Sequence, residues 1–109
     1  MKIFTKSRDG ILYSATAEYN DGHVTVLKGS KINRINAPGF KPKKLVADLR
    51  TDDSLFDAEG ILLSDVQFNS LSTAATFVTG RIANGMIVWK TQDSKYIRYS
   101  LEGGKSNGN

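Results

Sequence analysis

With 109 residues, 39% of them apolar, the chain has room for one domain and a single modest core. It contains no cysteine, which excludes disulfides and zinc–thiolate centres, and no apolar run approaches the length of a membrane span. The net charge of +4 hides an asymmetry: residues 1–47 carry nine Lys and Arg against three acids, a balance of +6, and residues 48–109 carry six against eight, a balance of −2. Such bipolarity hints at an anionic partner and says nothing of the fold. Lys6, Arg8 and Asp9 interrupt the N-terminus before a signal-peptide apolar run develops, so a cytoplasmic chain with no membrane association is expected.

In chain order, residues 2–5 suit a short strand, and Arg8-Asp9-Gly10 suits a turn. Residues 11–19 alternate loosely, with Ile11, Tyr13, Ala15, Ala17 and Tyr19 on one side. Asn20-Asp21-Gly22 between two branched runs predicts a hairpin. The returning strand, 23–28, places Val24, Val26 and Lys28 on one face. Residues 29–42 have no period and hold Gly29, Pro38, Gly39 and Pro42, which predicts a loop crossing from sheet to helix. Pro42 fits a first helical turn, and Leu45, Val46 and Leu49 follow at helical spacing. Asp52 and Asp53 interrupt that stripe, so the helix expected over about residues 43–58 is in one or two pieces before Gly60 ends it. Residues 61–66 suit a strand.

The segment 68–90, FNSLSTAATFVTGRIANGMIVWK, reads as entry, helix, stop and strand. Leu71, Ala74, Ala75, Val78 and Ile82 share one helical face, with Thr73, Thr76, Thr79 and Gly80 on the other and Phe77 and Arg81 on a flank. Ser70 or Ser72 supplies the N-cap, and Asn84-Gly85 is expected to be the left-handed stop. Met86-Ile87-Val88-Trp89 then has strand propensity. Gln92-Asp93-Ser94-Lys95 turns the chain toward a last strand over 96–101, and the Gly/Ser/Asn-rich 103–109 is expected to be a disordered tail. No internal repeat is present. The expected fold is a single α+β domain over 1–102: a small, mostly antiparallel sheet with an N-terminal β-hairpin and two helices packed on one face.

The strongest functional candidate is the basic loop. Lys28, Lys31, Arg34, Lys41, Lys43 and Lys44 occur there without an acid, which suits neutralisation of several phosphates. Phe40 among them can stack on a base, and Ser30, Asn33 and Asn36 add groups for phosphate and sugar contacts. The plainer reading is a solvated loop that balances the acidic half of the chain. Arg81, Asn84, Trp89 and Lys90 form a second candidate. Trp89 and Lys90 are strand neighbours and face opposite ways, and the large aromatic is the better core residue. Asp52, Asp53, Asp57 and Glu59 lack the spacing of a calcium loop and read as a solvated, capping cluster. His23 is the single histidine, no serine is placed beside it, and Gly29-Ser30-Lys31 is not a phosphate loop. No catalytic residue, metal or cofactor is expected.

Phe68, Ser70, Ser72, Ala74, Ala75, then Gly80-Arg81, Asn84-Gly85 and Trp89-Lys90, together with Val26-Leu27-Lys28-Gly29-Ser30 upstream and Leu49-Arg50, Gly60 and Leu62 between, resemble the signature of a small bacterial domain family of unknown function. That family is often fused behind GIY-YIG nuclease domains or found in restriction–modification proteins. It is similar to the restriction enzyme and adenine methylase associated (RAMA) domain, a proposed DNA reader. The resemblance runs in order over most of the chain. Leu71 and Met86 depart from the family's usual Pro and Trp, and the middle segment is longer. The resemblance implies a non-catalytic nucleic-acid-binding module, DNA first, in a defence or DNA-processing setting. The alternative is a protein-interaction module that docks onto a nuclease or modification enzyme. The chain is expected to be a monomer or weak oligomer.

Overall fold

A computed structural model describes residues 1–97. Of the expected last strand over 96–101, residues 98–101 lie outside the described residues, Tyr96 makes an isolated bridge to Lys90 and Ile97 is not extended; the tail at 103–109 lies entirely outside them. Four strands form one antiparallel sheet in sequence order: β1 (Lys2–Lys6), β2 (Ser14–Asn20), β3 (His23–Val26) and β4 (Val66–Phe68). Asn20 pairs with His23 across a two-residue turn. Asp21 (φ 49°) and Gly22 (φ 82°) are both left-handed there, the backbone that matches the twist of a tight hairpin.

Alternation then sorts the side chains. Ile3, Ala15, Ala17, Val24, Val26, Val66 and Phe68 face the core and are buried. α2 (Leu71–Thr79) lies across β3 and β4, with α1 (Lys44–Arg50) and α3 (Gly85–Val88) against it. The fold is α+β, with the helices on one face of the sheet. No helix among the described residues is long and apolar enough to cross a membrane.

α1 is shorter than expected, and the break falls at the acids. Asp52 accepts a hydrogen bond from the Ser54 N–H (3.0 Å) and caps a single 3₁₀ turn, Asp53–Leu55. The strand expected over 61–66 is displaced. Ile61 and Leu62 make only isolated bridges, to Lys31 and Phe56, and regular pairing begins at Val66.

The segment after α2 departs most from expectation. Ser70 caps the helix by accepting from the Thr73 N–H (3.0 Å). The stop is Gly80, left-handed at φ 78°, and not Asn84-Gly85. The long loop causes this early stop. Asn33 N–H donates to the Val78 carbonyl (2.9 Å) and Ala37 N–H to the Gly80 carbonyl (2.9 Å), so the loop backbone takes the helix's last acceptors. Thr76 and Thr79 are buried as well, and Ile82 lies past the stop and is exposed. Phe77 is fully buried, 5.1 Å from Phe68 and 6.1 Å from Phe56 between ring centroids.

Residues 86–88 are helical where strand propensity pointed otherwise. Asn84 accepts from the Met86 N–H (3.0 Å) as the N-cap of α3. Gly85 lies so close to the first turn of α2 that an added Cβ would stand 2.2 Å from the Leu71 carbonyl carbon. This close approach sets the backbone and overrides propensity. The chain becomes extended at Trp89, which is buried and donates its indole N–H to the Leu71 carbonyl (3.0 Å). Lys90 then points outward and bridges Phe4.

Candidate nucleic-acid interface

The basic loop is continuous in sequence but divided in space. The Arg34 guanidinium lies 3.1 Å from Asp53 and 4.0 Å over the Phe56 ring. Lys44 is held by Asp48 at 2.7 Å, a hydrogen bond that raises its pKa above the ordinary lysine value. Lys28 is exposed, but its backbone N–H donates to the Asp65 carboxylate (2.7 Å), which puts an acid beside it. Lys41 and Lys43 are exposed on the helix side; Lys43 borders a small hollow with Ser70, Thr73 and Ile82. Phe40 is half-buried, 5.4 Å beneath the Arg50 guanidinium.

The loop's polar residues are committed to structure. Ser30 is buried and its hydroxyl exchanges hydrogen bonds with the Thr16 backbone (3.0 and 3.2 Å). The Asn33 amide donates to the Thr79 carbonyl (3.0 Å). The Asn36 carbonyl accepts from two nitrogens of Arg50 (3.1 and 2.7 Å). Arg50 also donates to the Phe77 carbonyl (2.7 Å) and is only 5% exposed. Burial, and to a lesser degree the Arg34 cation, lower its pKa to about 10, and it stays charged at neutral pH. Sequence reasoning missed Arg50 as a structural centre. The available signal was its place one helical turn after Val46, on the buried side of α1.

Strand register assembles a different basic surface. Partners in an antiparallel bridge point to the same face. Tyr96, Lys90, Phe4 and Thr16 therefore form one row across the outer face of the sheet. Lys6, Ser14, Lys31 and Ile61 form the next. Lys2, Glu18, Thr25 and Gln67 form the row on the other side. Lys2, Lys6, Lys31 and Lys90 thus share one face around the half-buried Phe4, and among the described residues none has a carboxylate within 4.0 Å. Lys90 Nζ stands 5.1 Å from the Tyr96 ring centroid. A shallow depression of about 390 Å³ opens between Phe4, Lys6, Ser14, Thr16, Lys90 and Gln92. Glu18, an acid on this face, stands directly across from Lys2 and 3.7 Å from the N-terminal ammonium.

Of the residues singled out from sequence, the fold brings Lys31 and Lys90 together and adds Lys2, Lys6 and Phe4. It leaves Lys41, Lys43 and Lys44 on the helix side and Arg81 on a separate groove beside Arg8. The acidic cluster is structural: Asp52 caps, Asp53 binds Arg34, and Asp57 accepts from the Glu59 and Ile61 N–H groups (2.8 and 3.0 Å). Among the described residues no group of three or more His, Asp or Glu is arranged to hold a metal ion. His23 is exposed, with Nδ1 3.1 Å from the Asn69 side-chain oxygen.

No curated protein and no solved structure matches the chain. A family model does match, over residues 4–99, a span that takes in all of the sheet but the first two residues of β1, the three described helices and the Phe4–Lys90 bridge. By that match the chain belongs to the family described as Domain of unknown function (DUF4357).

Proposed function

We propose that this chain is a non-catalytic nucleic-acid-binding module that presents the outer face of its sheet to the phosphate backbone. The carrying observation is the set of four lysines, Lys2, Lys6, Lys31 and Lys90, spread around Phe4 on a face that, among the described residues, no helix covers and no carboxylate pairs with. Cations at strand spacing suit successive phosphates, and a part-exposed aromatic between them offers a surface for a base. DNA is the first candidate, and a defence or DNA-processing setting in the cytoplasm is the context. Both rest on the resemblance to domains that accompany GIY-YIG nucleases and restriction–modification enzymes.

The test is the salt dependence of DNA binding. Four phosphate contacts on a duplex give a slope of log K against log salt of roughly −3.6. Lys2→Ala, Lys6→Ala and Lys90→Ala together should flatten it by about 2.7, whereas Lys41→Ala, Lys43→Ala and Lys44→Ala together should leave it nearly unchanged. The reverse result would move the interface to the helix side. No binding to single- or double-stranded DNA at low salt would reject the nucleic-acid reading.

A further inference from the structure

Three of the five most exposed large apolar side chains among the described residues stand together. Ile35 is 74% exposed, Ile11 64% and Leu12 53%. They form a crest between two adjoining grooves of about 400 and 360 Å³, and both grooves have Leu12, Asn33 and Ile35 in their walls. An apolar cluster of this kind on a small domain marks a contact surface.

The two grooves differ in sign. The first is walled by Arg8 and Arg81, both exposed, with no acid among the described residues that line it. The second is walled by Asp57 and Glu59, also exposed. Two cations border that second groove, but Arg34 is taken up by Asp53 and Phe56, and register turns the Lys31 side chain toward the sheet's outer face. Nearby Asp9 accepts from the Ile11 N–H and the Ser7 hydroxyl, which ties it into the hairpin tip. The crest therefore separates a positive flank from a negative one.

We infer that a second copy of this chain packs on the crest about a two-fold axis, so that Ile11, Leu12 and Ile35 of both copies meet and the arginine flank of each faces the acidic flank of the other. A two-fold operation exchanges the two sides of a patch, so a patch with an apolar centre and opposite charges at its ends is complementary to itself. A partner of single charge sign would satisfy one flank and be repelled by the other. The contact is small and should give a weak, reversible dimer.

Sedimentation equilibrium of the full chain without nucleic acid tests this, and its outcome is independent of the reading of the sheet face. The wild-type chain should pass from monomer to dimer between about 10 μM and 1 mM. Arg8→Glu with Arg81→Glu in one chain, and Glu59→Lys in another, should each weaken association at least about tenfold, because like charges then face each other twice. Mixed in equal amounts, the two variants should associate more tightly than either does alone. Ile35→Ser should weaken association without changing charge, and circular dichroism on all variants checks that the exposed substitutions leave the fold intact. A wild-type chain that stays monomeric throughout, a mixture no tighter than its components, or an Ile35→Ser dimer as tight as wild type would each overturn the inference.

Discussion

Arg50 shows how one side chain can tie three segments together. It stands on α1, reaches the Asn36 carbonyl in the long loop and donates to the last turns of α2 at the Phe77 carbonyl. A guanidinium can do this because its donors lie in a rigid fork; an ammonium on a flexible stem cannot reach both acceptors at once. The charge has no carboxylate partner among the described residues, so burial is offset by neutral oxygens and the Phe40 ring. Arg50→Ala leaves those acceptors without donors and opens space over the Phe40 ring. Urea unfolding should show a loss of about 3 kcal/mol. Arg50→Lys should recover only a minority of that. A loss below about 1 kcal/mol for the alanine variant would mean that water replaces the guanidinium.

At the scale of elements, what decides most is where a helix stops. Gly80 and Gly22 have nearly the same backbone, φ 78° and 82°, but different surroundings. An added Cβ at Gly22 meets nothing within 4 Å, whereas at Gly80 it would stand 2.6 Å from the Ile35 carbonyl oxygen and 2.9 Å from the Arg50 guanidinium. Gly22→Ala should therefore lower stability by about 1 kcal/mol, the cost of a left-handed alanine. Gly80→Ala should lose at least about twice that, because the carbonyl belongs to a backbone that cannot swing aside. Thermal unfolding of the pair separates strain from collision, and equal losses would show that the loop yields.

The same contrast explains what could be read from the residues. The hairpin was legible because Asn20-Asp21-Gly22 acts through its own backbone, and the α1 break was legible because Asp52 caps a turn two residues away. The α2 stop was not. Gly80 and Asn84-Gly85 are both acceptable helix ends locally, and the choice falls to a loop that arrives from more than forty residues earlier. The candidate site divides in the same way. The alternation of Lys2, Phe4 and Lys6 is visible in the sequence, yet their union with Lys31 and Lys90 depends on bridges between distant segments. The run from Lys28 to Lys44 looked like one surface only because its residues are consecutive.

For the whole molecule, the decisive fact is that the layers are unequal. Helices cover one face of the sheet, and the long loop closes the C-terminal end of α2. Among the described residues the outer face has no second layer. Its rows are therefore set by strand register and by side-chain charge. An adjacent pair of strands slipped by one residue would bring Ile3, Ala15 and Ala17 to the surface, so the same packing that fixes the core also fixes where the lysines stand.

The Phe4–Lys90 bridge has a protective consequence. Without it, β1 would end the sheet as a five-residue border of unpaired amides, the kind of border onto which a strand from another molecule can add. Two reciprocal hydrogen bonds of 2.8 Å occupy its midpoint, and Lys2 and Lys6 flank them with charge. The opposite border, β4, is only three residues long. Lys90→Pro removes one of the two bonds and leaves the core side chains in place. Light scattering during gentle heating should rise in that variant before its unfolding transition, and in the wild-type chain only after it. Residues suited to gripping a ligand would then have a second task, that of keeping the sheet from growing into its neighbours.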